Sequence, residues 1–218
     1  MSQRRARAPE DKAARRADIL EVAGRMFDER AGCGGVVDLT MASLASEAGL
    51  AKGTLYLYFS TKEEIFLALV LDELERWIDA LDRDLDRLPA PTPEAVAGAV
   101  ASSLASRARL VRLLGVLHPI LERNLSPEAL LSFKLALMQL LAEPAARLEA
   151  RLPALGPGDG GRFILRLHAV VVGLALSSRP PPAVALVLAR ADLAAMRIDF
   201  EVELEAIVAA LLRGWKAA

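Results

Sequence analysis

The sequence has very few of the side chains from which catalytic and metal centres are usually built. Its 218 residues include one cysteine and two histidines, so an intramolecular disulfide and a cysteine-based zinc site are both excluded. No glycine-rich phosphate loop and no metal-spaced cluster accompanies them. We therefore expect no enzymatic activity, no cofactor and no metal, and the single thiol of Cys33 fits a reducing cytoplasm.

Runs of β-branched and aromatic residues with a two-residue period are nearly absent. Aromatic residues make up 5% of the chain, whereas 54% of it is apolar, with a mean hydropathy of +0.32. Much of the apolar content is alanine and leucine, which favour helix over sheet, and this composition argues against a disordered chain. We expect an all-α protein.

Long apolar runs are missing as well. No stretch reaches the roughly 18 uninterrupted apolar residues that a membrane span requires, and the longest candidate, 167–176, is too short. The amino-terminal segment is rich in arginine but lacks the apolar run of a secretory signal. We expect no membrane partner and a cytoplasmic location.

The charge is unevenly distributed along the chain. Residues 1–62 carry ten basic and eight acidic side chains, and residues 63–218 carry seventeen and twenty, which sums to a net charge of −1. The first sixteen residues alone contain six basic side chains, namely Arg4, Arg5, Arg7, Lys12, Arg15 and Arg16. A basic end on a nearly neutral chain indicates contact with a polyanion at one place, although a solvated tail would look the same.

Apolar periodicity predicts a series of helices that fall into two domains. Ile19, Val22, Ala23, Met26 and Phe27 define one face of a first helix from about Asp11 to Ala31. A small domain is expected at 1–61, beginning with a flexible basic arm at 1–10, and a larger helical domain at 62–218. Helices are predicted at 41–48, 52–58, 62–87, 93–106, 107–117, 127–151, 160–177 and 200–215. Pro144 should kink or shorten its helix, and 183–198 is expected to be partly helical.

The stretch from Leu39 to Phe59 has the pattern of a helix-turn-helix. Thr40 can cap the first short helix through its hydroxyl, and Gly49 stands where the chain must adopt a left-handed conformation. Leu50 is expected to point inward between the two helices. Leu55 and Phe59 are four residues apart and should face the core.

The remaining side chains of the second short helix have chemistry suited to a DNA major groove. Lys52, Gly53 and Thr54 would lie closest to the base edges. Tyr56 and Tyr58 can donate hydroxyls to phosphates, and Lys62 would open the next helix beside the DNA backbone. Helix-turn-helix pairs also occur in proteins that never touch DNA, and the tyrosines could simply be packing residues.

The run GLAKGTLYLYFSTKEE, residues 49–64, resembles the signature of the TetR (tetracycline-repressor-like) family at nearly every position. The specific resemblance covers about 15–70, and the rest of the chain is similar to the family only in length and helicity. It implies that Thr40 and Lys62 contact phosphate, that Lys52, Gly53, Thr54 and Tyr56 lie at the DNA surface, and that Tyr58 meets backbone or base. Many members have a basic residue where this chain has Ala42, so we expect the basic amino-terminal residues to supply more of the affinity.

The resemblance also implies a homodimer on a palindromic operator and a repressor that a small-molecule effector releases. The last two long helices would form the dimer interface, through Phe163, Leu167, Val170, Val171, Leu174, Val202, Ala206 and Ala209. Polar residues within the apolar helices are the candidates for an effector site, namely His118, Glu122, His168 and Arg112, and the apolar composition suggests an apolar effector. The alternative is a helical partner-binding module without DNA binding.

Overall fold

The computed structural model of the protein describes residues 3–30, 36 and 38–215. All regular structure in this part of the chain is helical, which confirms the all-α prediction. The α-helices, in chain order, are α1 (Gln3–Glu29), α2 (Met41–Glu47), α3 (Lys52–Tyr56), α4 (Lys62–Asp86), α5 (Pro93–Ala105), α6 (Ala108–Val116), α7 (Pro127–Arg151), α8 (Asp159–Ser177), α9 (Pro182–Leu188) and α10 (Phe200–Arg213). A π-helical turn, Leu117–Leu121, and short 3₁₀ segments at Glu122–Asn124 and Ala191–Met196 complete the chain path.

The first helix begins earlier than the sequence pattern predicts. α1 starts at Gln3 rather than near Asp11, so residues 3–10, predicted as a flexible arm, are helical, while residues 1 and 2 lie outside the described part. The six residues from Gln3 to Ala8 are all Gln, Arg or Ala, and these favour helix. The basic residues of this region therefore extend α1 instead of forming a separate arm.

α7 has its predicted bounds, whereas α3 is shorter than predicted. α7 continues through Pro144 to Arg151, so the proline does not shorten it. α3 ends at Tyr56, two residues before the predicted end. The segment 183–198, predicted to be partly helical, contains most of α9 and a 3₁₀ turn.

The chain forms two compact units, one comprising Met1–Val70 with Val116–Leu130 and the other Leu71–Gly115 with Leu131–Ala218. The first division falls within α4, not at residue 62 as predicted. The reason is that the first turns of α4 belong to the core of the N-terminal unit. Phe66 is fully buried there, with its ring centroid 5.9 Å from that of Phe27.

The core of the C-terminal unit is built around α5 and α10, which pack along each other. Small side chains allow this close packing: Ala97 and Ala101 of α5 and Ala209 of α10 are buried. α4 is tied to the same unit by polar contacts. Trp77 Nε1 donates to Ser103 Oγ at 3.0 Å, and the buried Glu73 pairs with Arg109 at 3.0 Å.

The start of α8 is fixed against α7 by one carboxylate and one glycine. Glu149 Oε1 accepts from the backbone N–H groups of Gly158 at 3.0 Å and Gly160 at 2.8 Å. This satisfies donors that a helix N-terminus otherwise leaves open. Gly160 approaches α7 so closely that a Cβ at this position would lie 2.2 Å from the carbonyl oxygen of Ala145.

Both α7 and α8 are long and apolar enough, by length and composition, to meet the usual criterion for a membrane span. Neither is an uninterrupted apolar run, since Lys134 and Glu143 interrupt α7 and Arg162 and Arg166 interrupt α8. Within the C-terminal unit α8 buries a full stripe of side chains, including Phe163, as the core helix of a globular domain does.

Candidate nucleic-acid interface

The first helix of the helix-turn-helix is fixed by a reciprocal capping box. Thr40 Oγ1 accepts from the backbone N–H of Ser43 at 3.1 Å, and Ser43 Oγ accepts from the backbone N–H of Thr40 at 3.1 Å. Two N–H groups at the start of α2 are thereby satisfied. The predicted cap at Thr40 is confirmed, and Thr40 is exposed at this helix start.

The turn between α2 and α3 depends on a left-handed residue. Gly49 has a φ of +64°, a conformation that costs glycine nothing sterically. The next backbone N–H, of Leu50, donates to the carbonyl of Ala45 at 2.9 Å and closes the turn. Leu50 itself is half-buried, so it covers the gap between the helices without being fully enclosed.

The buried side of α3 is the one predicted from the four-residue spacing of Leu55 and Phe59. Leu55 is fully buried and Phe59, one turn later, is 4% exposed. The opposite side carries Lys52, Gly53 and Tyr56, all exposed, with 47% of Tyr56 accessible. The structure therefore presents these predicted DNA-surface residues to solvent on one short helix.

Two further predicted contacts, Thr54 and Tyr58, lie at the margin of this surface. Both are half-buried, which is compatible with a hydroxyl that reaches outward from a partly packed side chain. The Lys52 ammonium lies 5.9 Å from the ring centroid of Tyr56. A cation at this distance from an aromatic face is held weakly in place.

Gly53 has no structural reason to be glycine. It lies within a helix and its φ is not positive. A Cβ at this position would have no atom of the described residues within 4 Å outside its own turn of helix. A glycine in a helix is less favourable than alanine by about 0.5–1 kcal/mol. This loss of helix stability at Gly53 is therefore not offset by a neighbouring group of the described residues that packs too closely for a side chain.

Lys62 has a structural contact that sequence reasoning missed. Its ammonium donates to the backbone carbonyl of Val36 at 3.0 Å in a partly buried position. The contact ties the start of α4 to the segment that precedes α2. No local sequence pattern could have shown this bond, because the two residues are 26 positions apart.

Two arginines of α1 also contact the helix-turn-helix segment and were not predicted to do so. The Arg16 guanidinium lies 4.9 Å from the ring centroid of Phe59, and Arg25 pairs with Glu47 of α2 at 3.3 Å. The exposed Arg25–Glu47 pair contributes little to stability. Arg16, however, places a positive charge beside Phe59, three residues after the end of α3, which adds to the basic character of this surface.

The predicted effector residues are divided between the two units. His118 and Glu122 come together in the N-terminal unit, where His118 Nδ1 lies 3.0 Å from Glu122 Oε2. Arg112 on α6 and His168 on α8 belong to the C-terminal unit. The His118–Glu122 pair spans the π-helical turn, a wide helical geometry that occurs often at functional sites.

A cleft of about 210 Å³ lies in the C-terminal unit and contains none of these four residues. Its walls are largely apolar, and an ion pair between Asp86 and Arg151 lies at its side. The cleft is smaller than the roughly 300–1,000 Å³ of typical small-molecule sites. Its lining comprises Leu85, Asp86, Pro91, Val96, Leu148, Arg151 and Leu152.

Most residues of the predicted dimer stripe on α8 are covered by the protomer itself. Phe163, Leu167, Val171 and Leu174 are buried inside the protomer, as is Ala209 of α10. A core stripe and an interface stripe have the same helical period, so the pattern alone could not separate them.

Other predicted interface residues do face outward. Val202 is 62% exposed and Ala206 is exposed on α10, while Val170 is half-buried. The exposed side of α8 is instead marked by Leu165, which is 69% exposed, and by Leu176.

Two family descriptions together match almost the whole chain after the first turns of α1. Residues 19–69 match the bacterial regulatory proteins of the tetR family. Residues 71–218 match the tetracyclin repressor-like C-terminal domain.

Individual relatives are similar over the amino-terminal third. The HTH-type transcriptional repressor KstR2 of Mycobacterium tuberculosis is 38% identical over 71 residues, which is 33% of either chain. The HTH-type transcriptional regulator TtgR of Pseudomonas putida is 39% identical over 77 residues, covering 35% of this chain and 34% of TtgR. The matched region thus spans about a third of the length of these relatives.

Solved structures resemble the chain over nearly its full length. The fatty acid degradation regulator FadR from Bacillus halodurans is 18% identical with a TM-score of 0.54, covering 92% of this chain and 99% of FadR. The TetR family repressor AlkX from Dietzia is 17% identical with a TM-score of 0.57, covering 91% of this chain and 93% of AlkX. At this identity the likeness establishes the fold.

Proposed function

This chain is a member of the tetR family of bacterial regulatory proteins, and from that premise we propose that it is a cytoplasmic, DNA-binding transcriptional repressor. It acts as a homodimer on a palindromic operator and is released by a small apolar effector. The observation that carries the proposal is the exposed side of α3, where Lys52, Gly53 and Tyr56 face solvent on a helix that Gly49 and the Thr40 cap hold in place.

In this proposal the amino-terminal end of α3 enters the major groove. Lys52 donates to guanine acceptors, and Thr54 donates to a base edge or contacts a thymine methyl. Tyr56 and Tyr58 donate to phosphates, as does Thr40 at the start of α2. These phosphate contacts set the register, whereas the salt-dependent part of the affinity comes from the basic side chains of this surface.

The test is a titration of the purified protein against the DNA upstream of its own gene, at several salt concentrations. We expect the logarithm of affinity to fall linearly with the logarithm of salt, by about 0.9 for each phosphate that a lysine or arginine neutralises. Lys52→Ala should weaken binding by about tenfold, whereas Lys134→Ala, a matched exposed lysine on α7, should have no effect. Absence of binding at every salt concentration would favour a partner-binding module instead.

A second copy of the chain supplies the second DNA-reading surface. A helix as short as α3 reads only a few base pairs, so a dimer must place two copies about 34–36 Å apart. We propose that the interface is formed by the exposed sides of α8 and α10, around Leu165, Ala169, Val202 and Ala206. These helices pack against each other in one unit, and both carry exposed apolar side chains of the kind that lie at interfaces.

Leu165→Glu is expected to produce a monomer by sedimentation equilibrium, because it replaces the most exposed large apolar side chain of the proposed interface by a charge. Leu131→Glu is the matched control, since Leu131 is 60% exposed but lies on α7, and it should remain dimeric. Operator affinity should fall with the loss of the dimer. A Leu165→Glu protein that is dimeric and binds the operator normally would rule out this interface.

The effector is proposed to be apolar. The solved relative FadR from Bacillus subtilis was crystallised with stearoyl-CoA, and AlkX is implicated in the biodegradation of n-alkanes. His118, Glu122, Arg112 and His168 stay candidates for its polar contacts. By linkage, an effector that lowers operator affinity must bind the free protein better than the operator complex by the same factor.

A further inference from the structure

One large, exposed apolar side chain follows the side of α3 that is proposed to contact DNA. Leu57 is 77% exposed, the most exposed large apolar residue among those described in the N-terminal unit. Scattered exposed leucines are common on proteins, so exposure alone does not indicate a role. The position of Leu57 next to the exposed residues of α3, however, does indicate a role.

Leu57 extends the exposed side of α3 that carries Lys52, Gly53 and Tyr56. Its backbone has a φ of −73° and a ψ of −16°, and its N–H donates to the carbonyl of Thr54 at 3.1 Å. The helical path therefore extends through Leu57. Residues four apart on a helix share a face, so Leu57 lies one turn after Gly53 and opposite the buried Leu55.

On this side of the helix Lys52 and Tyr56 carry polar groups and Gly53 has no side chain. Leu57, by contrast, can neither donate nor accept a hydrogen bond. It therefore gains nothing from phosphate oxygens or from polar base edges. The apolar group that the major groove presents is the C5-methyl of thymine. Contact between two apolar groups removes both from water and is favourable.

We propose that Leu57 contacts the 5-methyl group of one thymine in each half-site of the operator. The contact rests on the proposed DNA-binding function, and it specifies in addition that one base of each half-site is recognised as thymine. It makes the protein prefer thymine at that position over any base that lacks the methyl group. Because Gly53 lies on the same face without a side chain, the helix can approach closely enough for Leu57 to reach the floor of the groove.

Replacement of thymine by deoxyuridine tests this contact because it removes only the methyl group. With each operator thymine replaced in turn, the wild-type protein should lose about fourfold in affinity at one position per half-site. Leu57→Ala should bind the unmodified operator more weakly by a similar factor and should not distinguish thymine from deoxyuridine there. Tyr56→Phe, on the same surface, should retain the discrimination.

The outcomes separate this contact from the function on which it rests. If Leu57→Ala binds DNA with the wild-type salt dependence and still discriminates thymine from deoxyuridine, the contact is wrong and the function stands. If the wild-type protein binds no DNA at any salt, the proposed function and this contact both fall. Equal melting temperatures of wild type and Leu57→Ala exclude a folding effect, as expected for so exposed a side chain.

Discussion

The Gly53→Ala protein is expected to be more stable than the wild type and yet to bind its operator about tenfold more weakly. The stabilisation follows from replacing a helical glycine, whose φ is not positive, by alanine, and should amount to about 0.5–1 kcal/mol. The added methyl group meets no atom of the described residues within 4 Å outside its own turn of helix, so no packing cost offsets the gain. The loss of affinity follows because Gly53 lies at the end of α3 that would approach the base edges most closely.

Thermal unfolding and an operator titration at one fixed salt concentration check both parts of this prediction. Gly49→Ala is the control, because its φ of +64° disfavours any side chain. That variant should lose about 1 kcal/mol or more of stability, so any weaker DNA binding would accompany weaker folding. Gly53→Ala would contradict the prediction if it bound DNA as tightly as the wild type.

Gly160→Ala is expected to destabilise the C-terminal unit by about 2–3 kcal/mol. A Cβ at this position would lie 2.2 Å from the carbonyl oxygen of Ala145 and 2.7 Å from its carbonyl carbon. These atoms belong to the backbone of α7 and cannot rotate away as a side-chain end can. Either α8 moves away from α7 or the hydrogen bonds from Gly158 and Gly160 to Glu149 are lost.

The adjacent glycine offers a closely matched comparison. Gly161 is exposed in the same turn of α8, and a Cβ there would meet no atom of the described residues outside that turn within 4 Å. Gly161→Ala should therefore leave stability unchanged or raise it by a few tenths of a kcal/mol. Urea unfolding of both variants measures the difference. Similar stabilities for the two would mean that α8 does not pack on α7 as closely as described.

Gly160 also connects this packing to the proposed dimer. α8 packs on α7 at Gly160, and the same helix carries Leu165 on its exposed side. A displaced α8 would present a different outer surface to a second copy of the chain. Gly160→Ala is therefore expected to weaken dimerisation along with folding, whereas Leu165→Glu should weaken dimerisation alone.

The sequence by itself determined the helix-turn-helix, because each of its parts depends on neighbouring residues. A threonine that can cap, a glycine where the backbone turns left-handed, and two apolar residues one helical turn apart lie within twenty positions of one another. Thr40, Gly49, Leu55 and Phe59 all have the roles that this local pattern predicts. The resemblance of residues 49–64 to the tetR family pattern rests on the same short stretch.

Only the tertiary structure decided which apolar face of α8 is buried within the protomer and which remains open. Phe163 and Leu165 are both apolar and differ by two positions, and the structure buries the first and exposes the second. Helical periodicity identifies an apolar stripe but not the surface that covers it. The bond from Lys62 to Val36 and the exposure of Leu57 depend in the same way on where distant segments meet, and local sequence carries no record of that.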